Sequence, residues 1–459
     1  MERYDIIVIG SGPGGYVAAI RAAQCGKRVA IVEKADAGGV CLNWGCIPTK
    51  ALVRSAQVFA DCKAAAAFGV DIEGEVKPNW TKMVERERMV ATTMNKGVQF
   101  LLKKNNIDVI AGFGRLKAAD TVEVEGVDYE ADHIILATGA RPRVMPFMPI
   151  DGKHIISSKE ALVLPELPES MVVVGSGAIG SEFAYIYATM GVKVTIVEYM
   201  PQIMPLEDED TAKAMERAFR KLRATVMTST TVKQVTVRED GKCDVEIEGK
   251  KGAQTLEADI VLSAVGIKSN IEDMGLEELG IEIERDKIKV DEHFKTSVDG
   301  VYAIGDIVAT PALAHVASAE AIHCVEHICG LNPEPIDYST IPSCIFTSPE
   351  VASVGMTEAQ VKAQGIEYKV GKFPYTASGK ATAAGERDGF VKLIFDAEEK
   401  LLGAHFVGHN VTEMIGEPTL AKVLGVNAHR IARTIHAHPS MHEAVMEAAE
   451  DALGCSIHM

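Results

Sequence analysis

The sequence predicts an α/β protein in which two similar parallel-sheet domains are followed by a C-terminal α+β domain. One pattern, an apolar strand, a glycine-rich turn, a helix and a second strand, begins at Asp5 and returns at Met171. Two further apolar runs, 134–139 and 301–306, are typical of buried strands that end near a glycine. Arg141-Pro142 and the proline-containing run to Pro149 are expected to be a linker. Beyond Pro342 the pattern changes to a hairpin over 390–407 and short helices, one with Asn410 and Glu413 in the spacing of a capping box, which indicates a different architecture.

The first copy of the repeat has the features of a Rossmann-like nucleotide-binding unit. Asp5–Gly10 is a run of β-branched residues, as in strands buried on both faces of a parallel sheet. A helix is predicted over 14–24, and the strand Val29–Glu33 ends in an acid. The turn between the first strand and the helix carries the fingerprint glycines Gly10, Gly12 and Gly15. Glycines let the backbone approach a pyrophosphate, and Glu33 would accept hydrogen bonds from ribose hydroxyls.

The second copy repeats these features 165 residues later. Val172–Gly175 is the strand, a helix extends to about Met190, and Val194–Glu198 ends in an acid. The fingerprint glycines are Gly175, Gly177 and Gly180. In both copies 23 residues separate the first glycine from the acid, which argues against glycine-rich turns without a ligand. Two dinucleotides are therefore expected, and since no arginine follows Glu198, the second is NAD rather than NADP.

Two cysteines, Cys41 and Cys46, follow the first fingerprint closely and suggest electron transfer between a flavin and a disulphide. In a straight helix their Cα atoms would be roughly 8–9 Å apart, beyond the ~7 Å limit for a disulphide. Gly45 and Pro48 permit the distorted turn that closure needs. A structural or metal-binding pair is the alternative, but no Cys or His cluster lies nearby, and no metal is expected. We interpret Cys324 and Cys329, with the same spacing in a regular helix, as buried core residues.

Other polar residues complete the predicted flavin site. Thr138-Gly139 and Asp306 follow buried strands. Asp306 would bond the flavin's ribityl chain or reach the pyrophosphate through water, and the alternative is a helix cap. Lys50, one turn beyond Cys46, would stabilise an anionic reduced flavin. Glu182 lies in the helix after the second fingerprint and is a candidate partner for Lys50. The alternative for both residues is a position on the surface.

A base for thiol chemistry is expected near the C-terminus. His438 is a candidate because imidazole titrates near neutral pH, and Glu443 five residues later would orient the ring. A solvated His/Glu loop is the alternative. The base could act on thiols of its own chain or of a partner chain.

Composition narrows the function classes. The 459 residues suggest about three domains, and 47% hydrophobic and 24% charged residues are ordinary for a globular protein with a large core. A net charge of −17 and the lack of a basic block exclude a nucleic-acid role. Nine cysteines in this length are no disulphide scaffold. No signal peptide or membrane span is visible, so we expect a cytoplasmic protein.

The motifs together resemble the pyridine nucleotide–disulphide oxidoreductases, over nearly the whole chain. The resemblance rests on the first fingerprint, Cys41-x4-Cys46 followed by Ile-Pro-Thr-Lys, Ala137-Thr138-Gly139, Gly305-Asp306 and His438-Pro439-x3-Glu443. It implies a homodimer with an FAD domain (1–147 and 268–337), an NAD domain (148–267) and an α+β dimerisation domain (338–459). Cys46 would contact the flavin, Cys41 would exchange with substrate, and His438 would come from the partner subunit.

Further cofactor contacts are implied by position. For FAD these are Gly114, Leu313, Ala314 and His315, in addition to the residues above. For NAD they are Val232, Gly266 and Glu182, in addition to the second fingerprint and Glu198. Two departures from the family pattern are Gly266-Ile267-Lys268-Ser269-Asn270, without the usual Arg-x-Pro, and His442 in place of a small serine.

The cysteine motif is similar to that of the family branch that oxidises protein-bound dihydrolipoyl groups with NAD⁺. The partner implied is a lipoyl-carrying protein of a 2-oxo acid dehydrogenase or glycine cleavage system. The alternatives are an NADH-dependent reductase of another disulphide and a non-catalytic subunit that binds lipoyl carriers.

Overall fold

The computed structural model describes residues 2–459 and divides them into two compact units. The first comprises the chain up to Leu52, Thr81–Arg143 and Gly266–Ile336. The second comprises Val53–Trp80, Val144–Val265 and Asp337–Met459. The four domain ranges given above stay predictions, and residue 1 of the first range lies outside the described residues.

The strands in chain order are β1 (Glu2–Ile9), β2 (Val29–Glu33), β3 (Asp108–Ala111), β4 (Gly114–Ala118), β5 (Thr121–Val124), β6 (Val127–Leu136), β7 (Ala140–Pro142), β8 (Ile155–Ile156), β9 (Ser170–Val174), β10 (Lys193–Val197), β11 (Thr225–Met227), β12 (Thr231–Val237), β13 (Cys243–Gly249), β14 (Gly252–Ala258), β15 (Ile260–Ser263), β16 (Ile267–Ser269), β17 (Ile283–Glu284), β18 (Lys287–Ile288), β19 (Val301–Ala303), β20 (Pro342–Ile345), β21 (Glu350–Gly355), β22 (Tyr368–Pro374), β23 (Phe390–Asp396) and β24 (Leu401–Gly408).

The α-helices are α1 (Pro13–Gln24), α2 (Gly39–Asn43), α3 (Cys46–Ala64), α4 (Trp80–Lys104), α5 (Ser158–Ala161), α6 (Ala178–Thr189), α7 (Glu209–Lys221), α8 (Ala314–Ile328), α9 (Glu358–Ala363), α10 (Gly379–Ala384), α11 (Val411–Met414), α12 (Gly416–Val423), α13 (Ala428–Ala432) and α14 (Glu443–Ala452). Short 3₁₀ turns cover Ala65–Phe68, Gly305–Ile307, Tyr338–Thr340 and Tyr375–Ala377. Among residues 2–459, no helix is long and apolar enough to cross a membrane.

The first unit is built on a sheet with strand order β3-β2-β1-β6-β5-β4, and β19 pairs with β6. Strands β3, β2, β1, β6 and β19 are parallel, while β4, β5 and β6 form the antiparallel part. The side chains of β1 from Ile6 to Ile9 are buried because the sheet is covered on both faces. This order places the carboxyl ends of β1, β6 and β19 side by side.

The second unit contains a parallel sheet of order β11-β10-β9-β15-β8, the antiparallel sheet β12-β13-β14, and the antiparallel sheet β20-β21-β24-β23-β22. The predicted repeat is confirmed, because β9, α6 and β10 reproduce β1, α1 and β2. The predicted hairpin over 390–407 is confirmed as β23 and β24. Helix α14 packs directly on β22: a Cβ on Gly371 would lie 1.8 Å from the Ala448 carbonyl oxygen.

Two local predictions are wrong. The segment around Arg141-Pro142, expected to be a linker, forms β7 and pairs antiparallel with β16. A proline is compatible with this short two-stranded ladder because both strands are edges. Asn410 and Glu413, expected to form a capping box, do not, since Asn410 has φ 62° and its side chain makes no capping hydrogen bond.

A buried lysine holds the second unit together. The Lys392 side chain is 2% exposed, and its ammonium donates to Asp208 Oδ1 (2.8 Å) and Glu358 Oε2 (2.7 Å). Burial alone lowers the pKa of Lys392, but the hydrogen bonds to these two acids raise it above its usual value. Burial acts in the opposite direction on Asp208 and raises its pKa. The hydrogen bond from Lys392 reverses this effect, so the pKa of Asp208 is lowered overall and the acid stays ionised. The lysine therefore joins the start of α7 to β23 and α9.

Replacing Lys392 by Met should lower the free energy of unfolding by about 3–5 kcal/mol, because Asp208 is left buried and unpaired. The pKa of Glu358 is lowered to about 2, first by Lys362 and then by Lys392. A carboxylate whose pKa is lower in the folded than in the unfolded protein makes its full contribution to stability at pH values above the unfolded pKa. That contribution is lost as the pH falls towards the folded pKa, here about 2. In urea titrations the difference in the free energy of unfolding between the wild type and Lys392→Met should therefore become smaller between pH 7 and pH 3. Lys369→Met, at an exposed pair with Glu399, is the control and should change little.

Candidate active site

The helix breaks between Cys41 and Cys46, as predicted. Helix α2 ends at Asn43, α3 begins at Cys46, and Trp44 between them has φ −153° and ψ 35°. A Cβ at position 45 would lie 2.8 Å from the Val40 carbonyl oxygen, so only Gly45 fits without displacement. The two side chains are thereby brought together: both are thiols in this structure, and they hydrogen-bond to each other.

The two thiols lie in different electrostatic surroundings. The hydrogen bond to Cys46, and then burial, raise the pKa of Cys41 well above its usual range, with the Lys50 charge opposing the change. Cys46 is exposed and is the first residue of the 19-residue helix α3. A helix N-terminus stabilises negative charge. The pair therefore suits a protonated Cys41 beside a Cys46 sulfur that carries charge.

Two asparagines and an arginine fix the segment that carries the cysteines. The Asn43 amide nitrogen donates to the carbonyls of Ala37 (3.0 Å) and Gly39 (2.9 Å). Asn95 also donates to Ala37 (2.8 Å), and Arg88 donates to the Asn43 carbonyl (2.8 Å). The roles of Asn43, Asn95 and Arg88 were not predicted. The signal for Asn43 was a polar residue within an otherwise apolar helical turn between the cysteines.

The cysteine segment is seated on the first fingerprint turn. Gly39 has φ 59°, and a Cβ there would lie 2.7 Å from Gly12 Cα. The Gly38 amide donates to the Ser11 carbonyl at 3.0 Å. The fingerprint itself is tight, since a Cβ on Gly15 would lie 1.8 Å from the Gly10 carbonyl oxygen. The thiols are thus positioned relative to the turn by backbone contacts.

A serine–glutamate network shapes both predicted nucleotide sites. At the first, Glu33 Oε2 accepts from the Ser11 amide (2.9 Å) and hydroxyl (2.6 Å), while Oε1 accepts from the Ala35 amide (2.8 Å). At the second, Glu198 accepts in the same way from the residues Ser176 (2.8 and 2.6 Å) and Met200 (2.8 Å). Carboxylate oxygens accept more than one hydrogen bond, so ribose hydroxyls can still bind. The serines were not predicted, although both follow the first glycine.

The first network borders a cavity of about 590 Å³ that fits an adenosine moiety. Its wall is partly polar, through Ser11 and Glu33, and partly apolar. The apolar and long side chains that complete it come from α4, the turn after it and β3, and include Leu102, Ile107 and Val109. Gly12 is the N-cap of helix α1. A Cβ added at this position would have no neighbouring atom within 4 Å, so a phosphate group has room to approach. These residues fit FAD.

The other predicted FAD residues of the first unit lie at ends of its strands and helices. Asp306 is half-buried in the turn after β19, burial raises its pKa, and Lys287 opposes that change. The Thr138 hydroxyl donates to the Asn270 carbonyl (2.6 Å), and Gly139 has φ 67° and free space around it. Of the remaining predicted FAD residues, Gly114 is buried at the start of β4. The others lie at the start of α8 and are Leu313, Ala314 and His315.

Residues 266–270, which lack the Arg-x-Pro usual in the family, still form a hydrogen-bonded junction within the first unit. The Asn270 amides donate to the carbonyls of Thr138 (3.0 Å) and Gly139 (2.9 Å). Arg141 contacts Asn270 Oδ1 (2.9 Å) and pairs with Glu272 (2.6 Å). Asn270 therefore keeps a role between β6 and β16 without the usual Arg-x-Pro before it. Gly266, predicted to contact NAD, has φ 109° and open space beside it.

The remaining predicted NAD residues lie in the second unit. Gly175 and Gly180 form a turn as tight as the first, and Gly177 has no atom within 4 Å of a built Cβ. Glu182 is buried in α6 and accepts from the Phe346 amide at 3.0 Å. Val232 is buried in an apolar cluster with strands of the parallel sheet. Their contacts with NAD stay predictions.

The predicted base and its carboxylate are already paired. His438 Nδ1 lies 2.8 Å from Glu443 Oε1, and Glu443 Oε2 accepts from the Ser440 amide at 2.8 Å. Burial raises the pKa of Glu443, but the bonds from His438 and Ser440 lower it overall, so it stays ionised. His438 is 79% exposed, which leaves its other ring nitrogen open. This pair belongs to the second unit and the cysteines to the first.

A second carboxylate lies beside this pair and was not predicted. Glu417 contacts His436 Nε2 and His442 Nδ1, both at 2.7 Å. Burial raises the pKa of Glu417, yet the two imidazoles lower it overall. The hydrogen bond between Glu417 and His436 in turn raises the pKa of His436. His442, the second departure from the family pattern, is thus held by Glu417 and not by Glu443.

Comparison with known proteins fits this arrangement. Residues 4–321 match the pyridine nucleotide-disulphide oxidoreductase family, and residues 341–449 match its dimerisation domain. The chain belongs to the pyridine nucleotide–disulphide oxidoreductase family. As a member of this family it is an oxidoreductase that uses FAD and NAD, and its dimerisation domain indicates a homodimer.

Similar proteins within the family align over the full length. The dihydrolipoyl dehydrogenase of Chlorobaculum parvum is 48% identical over 98% of this chain and 97% of its own. That of Bacillus subtilis is 44% identical over 99% of both chains. Among solved structures, LpdA of Mycobacterium tuberculosis has a TM-score of 0.90 at 27% identity, covering 98% of this chain and 99% of its own. The flavoprotein disulfide reductase RclA of Escherichia coli has a TM-score of 0.88 at 26% identity, with the same coverage.

Two matched glycine variants should separate the cofactor sites. Gly12→Ala should lower FAD affinity, and Gly177→Ala should raise the KM for NAD⁺, each by about tenfold or more, because the new methyl stands where a pyrophosphate approaches. Both glycines have extended backbone and free space, so the fold should be unchanged. Bound flavin absorbance and NAD⁺ titration measure the two effects. Equal loss of both cofactors in each variant would contradict the assignment.

Proposed function

We propose that the chain is a dihydrolipoyl dehydrogenase, which oxidises protein-bound dihydrolipoyl groups to the cyclic disulphide and reduces NAD⁺. The observation that carries this proposal is the preformed pair of Cys41 and Cys46, seated on the first fingerprint and placed in unequal electrostatic surroundings. The names of the full-length relatives support the substrate class. The lipoyl carrier is a protein partner, and the scattered cysteines suit the reducing cytoplasm.

In this reaction the oxidised Cys41–Cys46 disulphide is the electron acceptor. A substrate thiolate attacks Cys41 sulfur, the Cys41–Cys46 bond breaks, and Cys46 leaves as a thiolate. The second substrate thiolate then attacks the substrate sulfur in the mixed disulphide, which closes the lipoyl ring and releases Cys41. Two electrons have moved from the substrate dithiol to the cysteine pair. Bound FAD supplies the coupling between this two-electron thiol chemistry and hydride transfer, with NAD⁺ as acceptor.

The charges around the site favour attack of the substrate on Cys41 and departure of Cys46 as the thiolate. Cys46, at the N-terminus of α3, is the better leaving group because the helix stabilises the departing negative charge. Cys41 stays protonated after release, since its pKa is raised by the Cys46 hydrogen bond and by burial. Lys50 lies close enough to influence Cys41 and adds positive charge to the same region.

His438 acts as the base for the substrate thiols. A carboxylate accepts but does not donate, so the bond to Glu443 requires the proton on His438 Nδ1. The Nε2 atom is then free to take the proton of a thiol. Glu443 fixes this tautomer and balances the charge of the protonated ring, and its own orientation is set by the Ser440 amide. In the homodimer, His438 would serve the cysteine pair of the partner.

The second candidate is an NADH-dependent reductase of another disulphide, favoured by the likeness to RclA. It would use the same cysteine pair in the opposite direction. The higher identity and full coverage of the dihydrolipoyl dehydrogenases favour the first proposal. A non-catalytic lipoyl-binding subunit is disfavoured because it would need neither the broken helix nor the paired histidine.

The deciding experiment is turnover by the purified enzyme with two substrate pairs. Dihydrolipoamide with NAD⁺ should be consumed rapidly, and glutathione disulphide with NADH slowly. The reverse ranking would favour the reductase, and no turnover of either would favour the binding subunit.

Cys46→Ser should retain FAD but lose dihydrolipoamide oxidation by about 10³-fold or more, because the disulphide cannot form. Flavin absorbance and initial rates are the measurements. Cys62→Ser, further along the same helix α3, is the matched control and should keep full activity. An active Cys46→Ser enzyme would refute the role of the pair.

Glu443→Gln should reduce kcat for dihydrolipoamide by about 100-fold while leaving FAD content and thermal stability near those of the wild type. The amide can donate to His438 Nδ1 and so move the ring proton to Nε2, where it blocks proton uptake. Glu413→Gln, at an exposed helical position, controls for loss of one charge. An unchanged rate for Glu443→Gln would remove the carboxylate from the mechanism.

A further inference from the structure

Helices α1 and α8 of the first unit pack in parallel and in fixed register. The Ser318 hydroxyl donates to the Pro13 carbonyl (3.4 Å) near their N-termini, and Arg21 pairs with Glu326 (2.5 Å) two turns later. In both contacts the partners are 305 positions apart. Small residues allow this close approach: a Cβ built on Gly14 would lie 3.4 Å from Ala317 Cβ.

The same register brings two cysteines together where the helices end. Cys25 is the C-cap of α1 and Cys329 the C-cap of α8, and they lie 304 positions apart in sequence. Their side chains hydrogen-bond to each other. Both are half-buried at the edge of the apolar cluster between the helices and the sheet. The prediction that Cys329 is a buried core residue is therefore wrong, whereas Cys324 is fully buried as predicted.

We propose that Cys25 and Cys329 form a second dithiol–disulphide centre, separate from Cys41 and Cys46, which a hydroperoxide oxidises. The Cys25 thiolate attacks a peroxide oxygen, the O–O bond breaks, and an alcohol or water leaves with a sulfenic acid on Cys25. Cys329 sulfur then attacks the sulfenic sulfur, an S–S bond forms, and water leaves. Two thiols lose two electrons to one hydroperoxide, and both thiol protons end in the oxygen products.

The surroundings assign the two roles. Burial, and then the hydrogen bond with Cys25, raise the pKa of Cys329 to about 11, so Cys329 stays protonated and donates to Cys25. Arg21 and Lys27 place positive charge near the pair, which stabilises the negative charge of the attacking sulfur and of the leaving oxygen. The C-terminal ends of both helices oppose negative charge, so this centre should react more slowly than the catalytic pair.

The disulphide would link the two helices whose N-termini carry predicted FAD residues. Gly12 is the N-cap of α1 and Leu313 the N-cap of α8. A covalent bond at the other end of both helices restricts their separation, and FAD release should become slower. This consequence rests on FAD binding at the first fingerprint, whereas disulphide formation between Cys25 and Cys329 does not depend on the proposed activity.

The test is oxidation of the purified full-length FAD-loaded enzyme with hydrogen peroxide. Free thiols are then alkylated with iodoacetamide, and a non-reducing tryptic digest is analysed by mass spectrometry. The expected result is a cross-linked peptide pair containing Cys25 and Cys329, which dithiothreitol separates. Independent alkylation or separate oxidation of both residues, without the cross-link, would overturn the proposal. Loss of dihydrolipoamide turnover has no bearing on this peptide, so the two proposals can fail separately.

Variants test the consequence for the cofactor. In wild type, peroxide treatment should raise the temperature at which flavin fluorescence signals FAD release, and dithiothreitol should reverse the shift. Cys25→Ser and Cys329→Ser should fold and bind FAD but show no shift. Cys62→Ser should behave like wild type. An equal shift in all three variants would overturn the link between this disulphide and FAD retention.

Discussion

The break between helices α2 and α3 is the constraint on which the chemistry of the chain depends. Without it, Cys41 and Cys46 would point to different sides of one helix. Gly45 permits the break because the Val40 carbonyl occupies the space of a side chain, and Asn43 holds the short helix before the break by donating to the carbonyls at its start. The break also makes Cys46 the first residue of a long helix, so one distortion provides both proximity and charge asymmetry.

Much of the fold could be predicted because it repeats. The strand, turn, helix and acid recur with one spacing, and the structure repeats even the hydrogen bonds of Ser11 and Ser176. The two failures in the fold have different causes, one in pairing between distant segments and one in local backbone conformation. Pro142 signals a turn in local sequence, but its strand is formed only because 267–269 arrives beside it. Asn410 has the right spacing for a cap, yet its left-handed backbone directs the side chain elsewhere.

The candidate site shows the same division. Residue types with rare chemistry, such as paired cysteines or a histidine five positions before a glutamate, could be found from sequence. The residues that hold them could not. Arg88 and Asn95 lie on α4, and Glu417 lies on α12, each far in sequence from the group it positions. The pairing of Cys25 with Cys329 was not predicted for this reason, because the two residues are 304 positions apart and only the register of two helices brings them together.

The buried contacts of Lys392 have a bearing on how this chain can evolve. One acid, Asp208 at the start of α7, lies within the matched range 4–321, whereas Glu358 on α9 and Lys392 itself lie within the range 341–449. A segment exchanged at the boundary between these two ranges with a relative that lacks the matching residue would carry the lysine without Asp208, or the acid without its cation. Such a hybrid chain would bury one charge without its counterion, which costs far more stability than loss of a surface pair.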